Sequence, residues 1–107
     1  MRVIGIDPGY ALVGYGVVDY VGNRFRTIDY GVIETPADMP FSQRLERIWD
    51  ELSVILARHK PDEMGIEKLF FARNTSTALD VAQARGVLQL CGTKHDVVIS
   101  EYTPVQI

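Results

Sequence analysis

The sequence is poor in the features that mark secreted, membrane or zinc-stapled chains. It has a single cysteine, Cys91, so neither an internal disulfide nor a cysteine zinc pattern can form. Every apolar run falls far short of the roughly 18 residues a membrane span needs. The N-terminal "MRVIGID" meets a charge too early to be a signal peptide's apolar core. A reducing, cytoplasmic setting is the expectation. The two histidines, His59 and His95, are not spaced as metal ligands, and His59 suits the C-terminal end of a helix. There is no repeat, low-complexity tract or linker. An excess of basic residues is also missing. The net charge is −3, which taken alone argues against a nucleic-acid partner.

What is present is enough for one modest core. The chain has 107 residues, of which 47% are apolar, and a single domain is expected. Residues 2–7 read as a first strand, "LVGYGVVDY" at 12–20 as a second and "RFRTIDYGVIE" at 24–34 as a third, with Ile28, Tyr30 and Val32 alternating on one face. Short turns join the three, so an antiparallel meander is expected. After "TPADMP", a helix is predicted from about Ser42 to His59, with Leu45, Ile48, Trp49, Leu52, Ile55 and Leu56 on one stripe. Pro61 stops it. Residues 63–69 read as a fourth strand. A second helix is predicted from an N-cap at Asn74 to about Cys91, with Gly92 just beyond its end. Residues 97–101 read as a fifth strand. At the end of the chain, Thr103 and Pro104 have the form of a helix start. The expectation is therefore the N-terminal part of a longer protein, with a frayed terminus as the alternative.

This order of elements constrains the topology. A crossover after the meander lets the fourth strand lie parallel to the first. Asp7, at the end of strand one, then faces Glu67, near the end of strand four, at the sheet edge where open α/β sheets carry their sites. Taken alone, Asp7 before Pro8-Gly9 reads as a turn residue, and Glu67 as a solvated strand-end charge. As a pair they read as ligands, because adjacent carboxylates stay ionised when a cation lies between them. Hard oxygen donors suit Mg²⁺ or Mn²⁺. Two such ions, about 3.5–4 Å apart, can activate water and stabilise the leaving oxygen in phosphodiester cleavage.

Four segments carry a resemblance. "GIDPG" at 5–9, "GYGVV" at 14–18, "IEKLFFARN" at 66–74 and "ALDVAQARGV" at 78–87 together resemble the RuvC family of bacterial Holliday-junction resolvases. The likeness runs along nearly the whole chain. The chain departs from the family pattern at "AQARG" (82–86), where the family has a glycine in place of the first alanine. The resemblance implies an RNase H-like α/β fold with a five-stranded mixed sheet and flanking helices. It also implies a homodimer that cuts four-way junction DNA symmetrically with Mg²⁺, alongside a RuvA–RuvB branch-migration complex. It matches Asp7 and Glu67 to catalytic, metal-binding carboxylates. The family's two further acidic residues, on a C-terminal helix, have no counterpart within 107 residues, so the chain by itself is expected to be inactive or poorly active.

Beside the proposed metal site lie Lys68, Phe70, Phe71, Arg73 and Asn74. Aromatic rings can stack on splayed bases, and cations neutralise phosphate. The family suggests Phe70 as the ring that probes the junction, although either Phe70 or Phe71 could anchor the loop to the core. Asn74 could be only the N-cap. Arg85 could reach phosphate or lie along its own helix. The residues from 66 to 86 carry more positive than negative charge. Ala82 and Gly86 form a small pair that could serve a dimer interface or packing on the chain's own sheet. Cys91 and Trp49 read as core. Two other classes remain: a non-catalytic dimerisation or DNA-binding module, and an ATP-binding module of the actin, Hsp70 and sugar-kinase type, whose strand–turn holds phosphates.

Overall fold

The computed structural model describes residues 1–9, 11–68 and 75–102. The order of elements is β1 (Arg2–Pro8), β2 (Leu12–Val21), β3 (Arg24–Glu34), α1 (Phe41–His59), β4 (Glu63–Glu67), α2 (Thr75–Lys94) and β5 (Val98–Tyr102). One five-stranded sheet runs β3-β2-β1-β4-β5. The β1–β2 and β2–β3 pairs are antiparallel, while β4 is parallel to both β1 and β5. The mixed sheet expected from the pattern is the one observed.

Strand alternation sends Ile4, Ile6, Val13, Val17, Ile33, Met64 and Ile66 to one face, where all are buried. Helix α1 lays Ile48, Leu52, Ile55 and Leu56 on that face, with Leu45 and Trp49 packed at the margin. Helix α2 adds Ala84, Leu88 and Cys91. The helical stripe predicted for α1 is thus its core face. Fully burying a side chain such as Leu52 contributes about 1.5–3 kcal/mol. On the opposite face of the sheet, Leu12, Tyr30, Val32 and Val98 are exposed among the described residues. No helix among them is long and apolar enough to cross a membrane.

Three details depart from the sequence pattern. Ile28, Tyr30 and Val32 do not share a face. Ile28 packs on the core, whereas Tyr30 and Val32 are exposed. The β2–β3 register shifts between Val17 and Val18, which pair with Asp29 and Thr27. Ile28 is the extra residue of a bulge, and the bulge resets the alternation. Second, α2 does not stop at Cys91 but continues to Lys94. Gly92 lies inside it and is buried, so close to the sheet that a Cβ there would stand 2.7 Å from Ile99 Cδ1. The left-handed residue comes later, at Asp96 (φ 60°). Third, β4 ends at Glu67, with Lys68 already outside it; the predicted limit at residue 69 lies outside the described residues. The expected N-cap Asn74 and helix start Thr103–Pro104 lie outside the described residues.

The end of the sheet remote from Asp7 is tied by polar contacts. Arg2 grips the Asp19 carboxylate with two bonds of 2.7 and 2.9 Å and donates to the His59 carbonyl at 3.0 Å. It thereby joins β1, β2 and the last turn of α1. His59 Nε2 donates to Asp29 Oδ2 at 2.9 Å. These bonds hold α1 across the sheet.

Candidate metal and nucleic-acid site

Asp7 is the last residue but one of β1, and Glu67 is the last of β4. The β1–β4 register pairs Gly5 with Gly65 and Ile6 with Ile66, so Asp7 and Glu67 are the next neighbours on adjacent strands, about 4.8 Å apart at the backbone. Both alternate with buried residues and therefore project from the face away from the helices. Asp7 is exposed and Glu67 half-buried. The chain clears Asp7 at once through Pro8-Gly9. Gly9 N–H donates to the Leu12 carbonyl at 2.8 Å, and a Cβ on Gly9 would stand 2.5 Å from that same oxygen. Only glycine passes there.

Three acidic residues of the sheet are paired, Asp19 with Arg2, Asp29 with His59 and Glu101 with Arg85, while Glu34 and Glu63 stand apart at other positions of β3 and β4. Asp7 and Glu67 make no ion pair or side-chain hydrogen bond among the described residues. Two neighbouring carboxylates with no protein cation are a donor set that fits a hard divalent ion. Among the described residues no third Asp, Glu, His or Cys joins them. The pair would therefore supply part of a coordination shell.

A tyrosine that the sequence reading did not single out completes this corner. Tyr102 ends β5 in register with Glu67. Its ring lies over Gly65, where a Cβ would be 3.7 Å from the ring's Cε1. Burial pushes its phenol pKa up, and the charges of Glu67 and Asp7 push it the same way, which keeps the hydroxyl neutral and able to donate. The signal was in the strand pattern: Val98, Ser100 and Tyr102 alternate, and the parallel register puts the last beside Glu67.

The remaining expected residues are distributed as follows. Lys68 is exposed beside Glu67, and its N–H donates to the Tyr102 carbonyl at 2.7 Å. Phe70, Phe71, Arg73 and Asn74 lie outside the described residues. Arg85 has its guanidinium on the helix side of the sheet, where Nε donates to the Glu67 carbonyl at 3.1 Å and Nη2 to Glu101 at 2.6 Å. Ala82 is half-buried. Gly86 is exposed, and a Cβ there would meet nothing within 4 Å, so packing on its own sheet does not explain that glycine. Leu79 and Leu90 are also exposed on α2, and with Gly86 they follow helical spacing along one stripe.

The strand order, the two helices on one face and the carboxylates at adjacent strand ends define an RNase H-like α/β domain with an acidic corner. Residues 3–107 match the family model described as crossover junction endodeoxyribonuclease RuvC, and the chain belongs to that family. It is 49% identical over all 107 residues to a RuvC of Fusobacterium nucleatum, of which it covers 56%, and 49% identical to one of Alkaliphilus oremlandii, of which it covers 65%. It thus spans less than two thirds of the length of these curated relatives. Thermus thermophilus RuvC in complex with a Holliday junction substrate superposes with a TM-score of 0.92 at 31% identity, over 99% of this chain and 68% of that one.

Proposed function

We propose that this chain carries the sheet and first two helices of a single nuclease domain that cuts four-way DNA junctions by divalent-metal-dependent phosphodiester hydrolysis. The observation that carries the reading is the placement of Asp7 and Glu67 side by side on one face, with no protein cation paired to them among the described residues. Membership of the RuvC family supplies the substrate class.

Asp7 and Glu67 would hold the metal, with Mg²⁺ the expected ion and Mn²⁺ a working substitute. The metal, when bound, supplies a water of lowered pKa and charge stabilisation at the leaving oxygen. Asp7 presents its oxygens from a rigid strand end, which limits reorganisation on binding. Glu67 does the same from β4. Two carboxylates are few for two ions, so full activity on this reading needs further acidic ligands beyond those two. Lys68, Phe70, Phe71, Arg73 and Asn74 follow Glu67 directly in sequence, where phosphate neutralisation and base stacking would meet a branched substrate. The stripe of Leu79, Gly86 and Leu90 on α2 offers a close-approach surface for a second copy, and symmetric cleavage needs two sites.

The test is cleavage of a labelled four-way junction with and without Mg²⁺, using this chain, a version extended past Ile107, and Asp7→Asn in each. Metal-dependent cutting by the extended form, abolished by Asp7→Asn, is the expected result. Metal-independent cutting, or full activity in Asp7→Asn, would overturn the reading.

A further inference from the structure

The carbonyl of Glu67 receives its hydrogen bond from a side chain, and the backbone explains why. On β1, the Met1 carbonyl accepts from Tyr20 N–H and Gly9 N–H donates to the Leu12 carbonyl, both at 2.8 Å. Odd-numbered residues of β1 therefore turn their main-chain groups to β2, and even-numbered ones to β4. At the two ends of β4, Lys68 N–H donates to the Tyr102 carbonyl at 2.7 Å and the Asp62 carbonyl accepts from Val98 at 3.2 Å, while the Asp62 N–H, ahead of the strand, still turns to the Arg2 carbonyl at 2.8 Å. Even-numbered residues within β4 face β5, and Glu67 faces β1. With Ile6 in register with Ile66, the next donor to the Glu67 carbonyl would be the N–H of residue 8. That residue is Pro8, which has none.

A bare carbonyl at this half-buried strand end would lose hydrogen bonding that folding normally satisfies. Arg85 meets it from below the sheet, at 3.1 Å through Nε. Glu101, on β5, holds the same guanidinium at 2.6 Å, and the Arg85 side chain is only 14% exposed. The planar fork thus joins α2, β4 and β5 directly beneath the acidic corner.

We propose that Arg85 is a positioning residue for Glu67: its guanidinium replaces the N–H that Pro8 lacks and so fixes the spacing of the Asp7 and Glu67 carboxylates. Its bearing on metal binding rests on the reading of those carboxylates as ligands. The hydrogen bond itself does not. A lysine cannot reproduce the two directed bonds.

The experiment uses the 107-residue chain and two readouts. The first is metal-free: the NMR coupling across the bond between Arg85 Nε–H and the Glu67 carbonyl. The second is Mn²⁺ affinity by titration for wild type, Arg85→Ala, Arg85→Lys, Glu101→Gln and the double variant Pro8→Ala/Arg85→Ala, each first shown to fold by thermal melt. The coupling is expected in wild type. Arg85→Ala should weaken Mn²⁺ binding about 10- to 100-fold, Arg85→Lys should recover little, and Glu101→Gln should lose melting temperature while keeping most of the affinity. Restoring a backbone donor at position 8 should recover much of what Arg85→Ala loses, which a merely structural arginine would not allow. Unchanged Mn²⁺ affinity in a folded Arg85→Ala, or a double variant no better than Arg85→Ala, would overturn the proposal. If wild type binds no Mn²⁺, the ligand reading fails on its own, and the coupling then decides the role of Arg85, its absence overturning it. Should Arg85→Ala not fold, the wild-type coupling and the Arg85→Lys titration decide.

Discussion

Gly14 stands directly across the β1–β2 ladder from Asp7, and a Cβ at Gly14 would lie 3.8 Å from the Asp7 Cβ. That is ordinary contact, so Gly14→Ala is expected to fold normally and leave the carboxylate open. A larger side chain would lie over Asp7. Gly14→Val is expected to keep stability within about 1 kcal/mol, since strand preference favours valine over glycine, while weakening divalent-ion binding. Parallel melts and Mn²⁺ titrations of the two variants check this.

Gly92 and Gly86 sit in the same helix, and alanine should be tolerated less well at Gly92. At Gly92 the added Cβ meets Ile99 Cδ1 at 2.7 Å and Met64 Cε at 3.1 Å. These are the ends of two side chains, Met64 buried and Ile99 half-buried, and moving them costs about 1–3 kcal/mol, which offsets or exceeds the roughly 1 kcal/mol of helix preference that alanine brings. At Gly86 the space is open, and helix preference predicts a gain of about 1 kcal/mol for the isolated chain. If α2 meets a second copy at Gly86, the same alanine lowers self-association. Denaturant melts and sedimentation velocity of both variants separate the two effects.

Acid should loosen the end of the sheet remote from the carboxylate pair. Hydrogen bonding to His59 lowers the pKa of Asp29, and hydrogen bonding to Arg2 lowers that of Asp19. A carboxylate depressed in the folded state stabilises it above its unfolded value and loses that contribution as pH falls through the folded value. The loss therefore falls below about pH 4. Melting temperature measured from pH 6 downward should drop in that window, and Asp29→Asn and Asp19→Asn should each flatten the drop.

Cys91 is fully buried, and burial raises its thiol pKa against a smaller opposing effect of the Ser53 hydroxyl. A protonated, enclosed thiol is a poor nucleophile. Native protein is expected to react with a thiol reagent such as DTNB at pH 8 only at the rate of unfolding, and rapidly in denaturant. Fast stoichiometric labelling of the native chain would contradict the packing of α2 on the sheet.

Strand periodicity, the Pro-Gly turn and the α1 stripe determined by themselves the order of elements, the meander, the parallel fourth strand and the neighbouring of Asp7 and Glu67. Those signals are local, and each repeats along a stretch long enough to be read. Three further features depend on atoms brought together from distant parts of the chain. The bulge at Ile28 is set by pairing with Val17 and Val18, which no count along β3 reveals. The glycine that ends a helix in sequence terms, Gly92, is one that lets a helix approach the sheet, because Ile99 and Met64 occupy the space a side chain would need. Arg85 resembled a phosphate contact because arginine serves phosphate and carbonyl alike. Its tie to Glu67 follows from a donor that Pro8 lacks, and whether a neighbouring strand supplies a hydrogen bond is decided only when the strands are side by side.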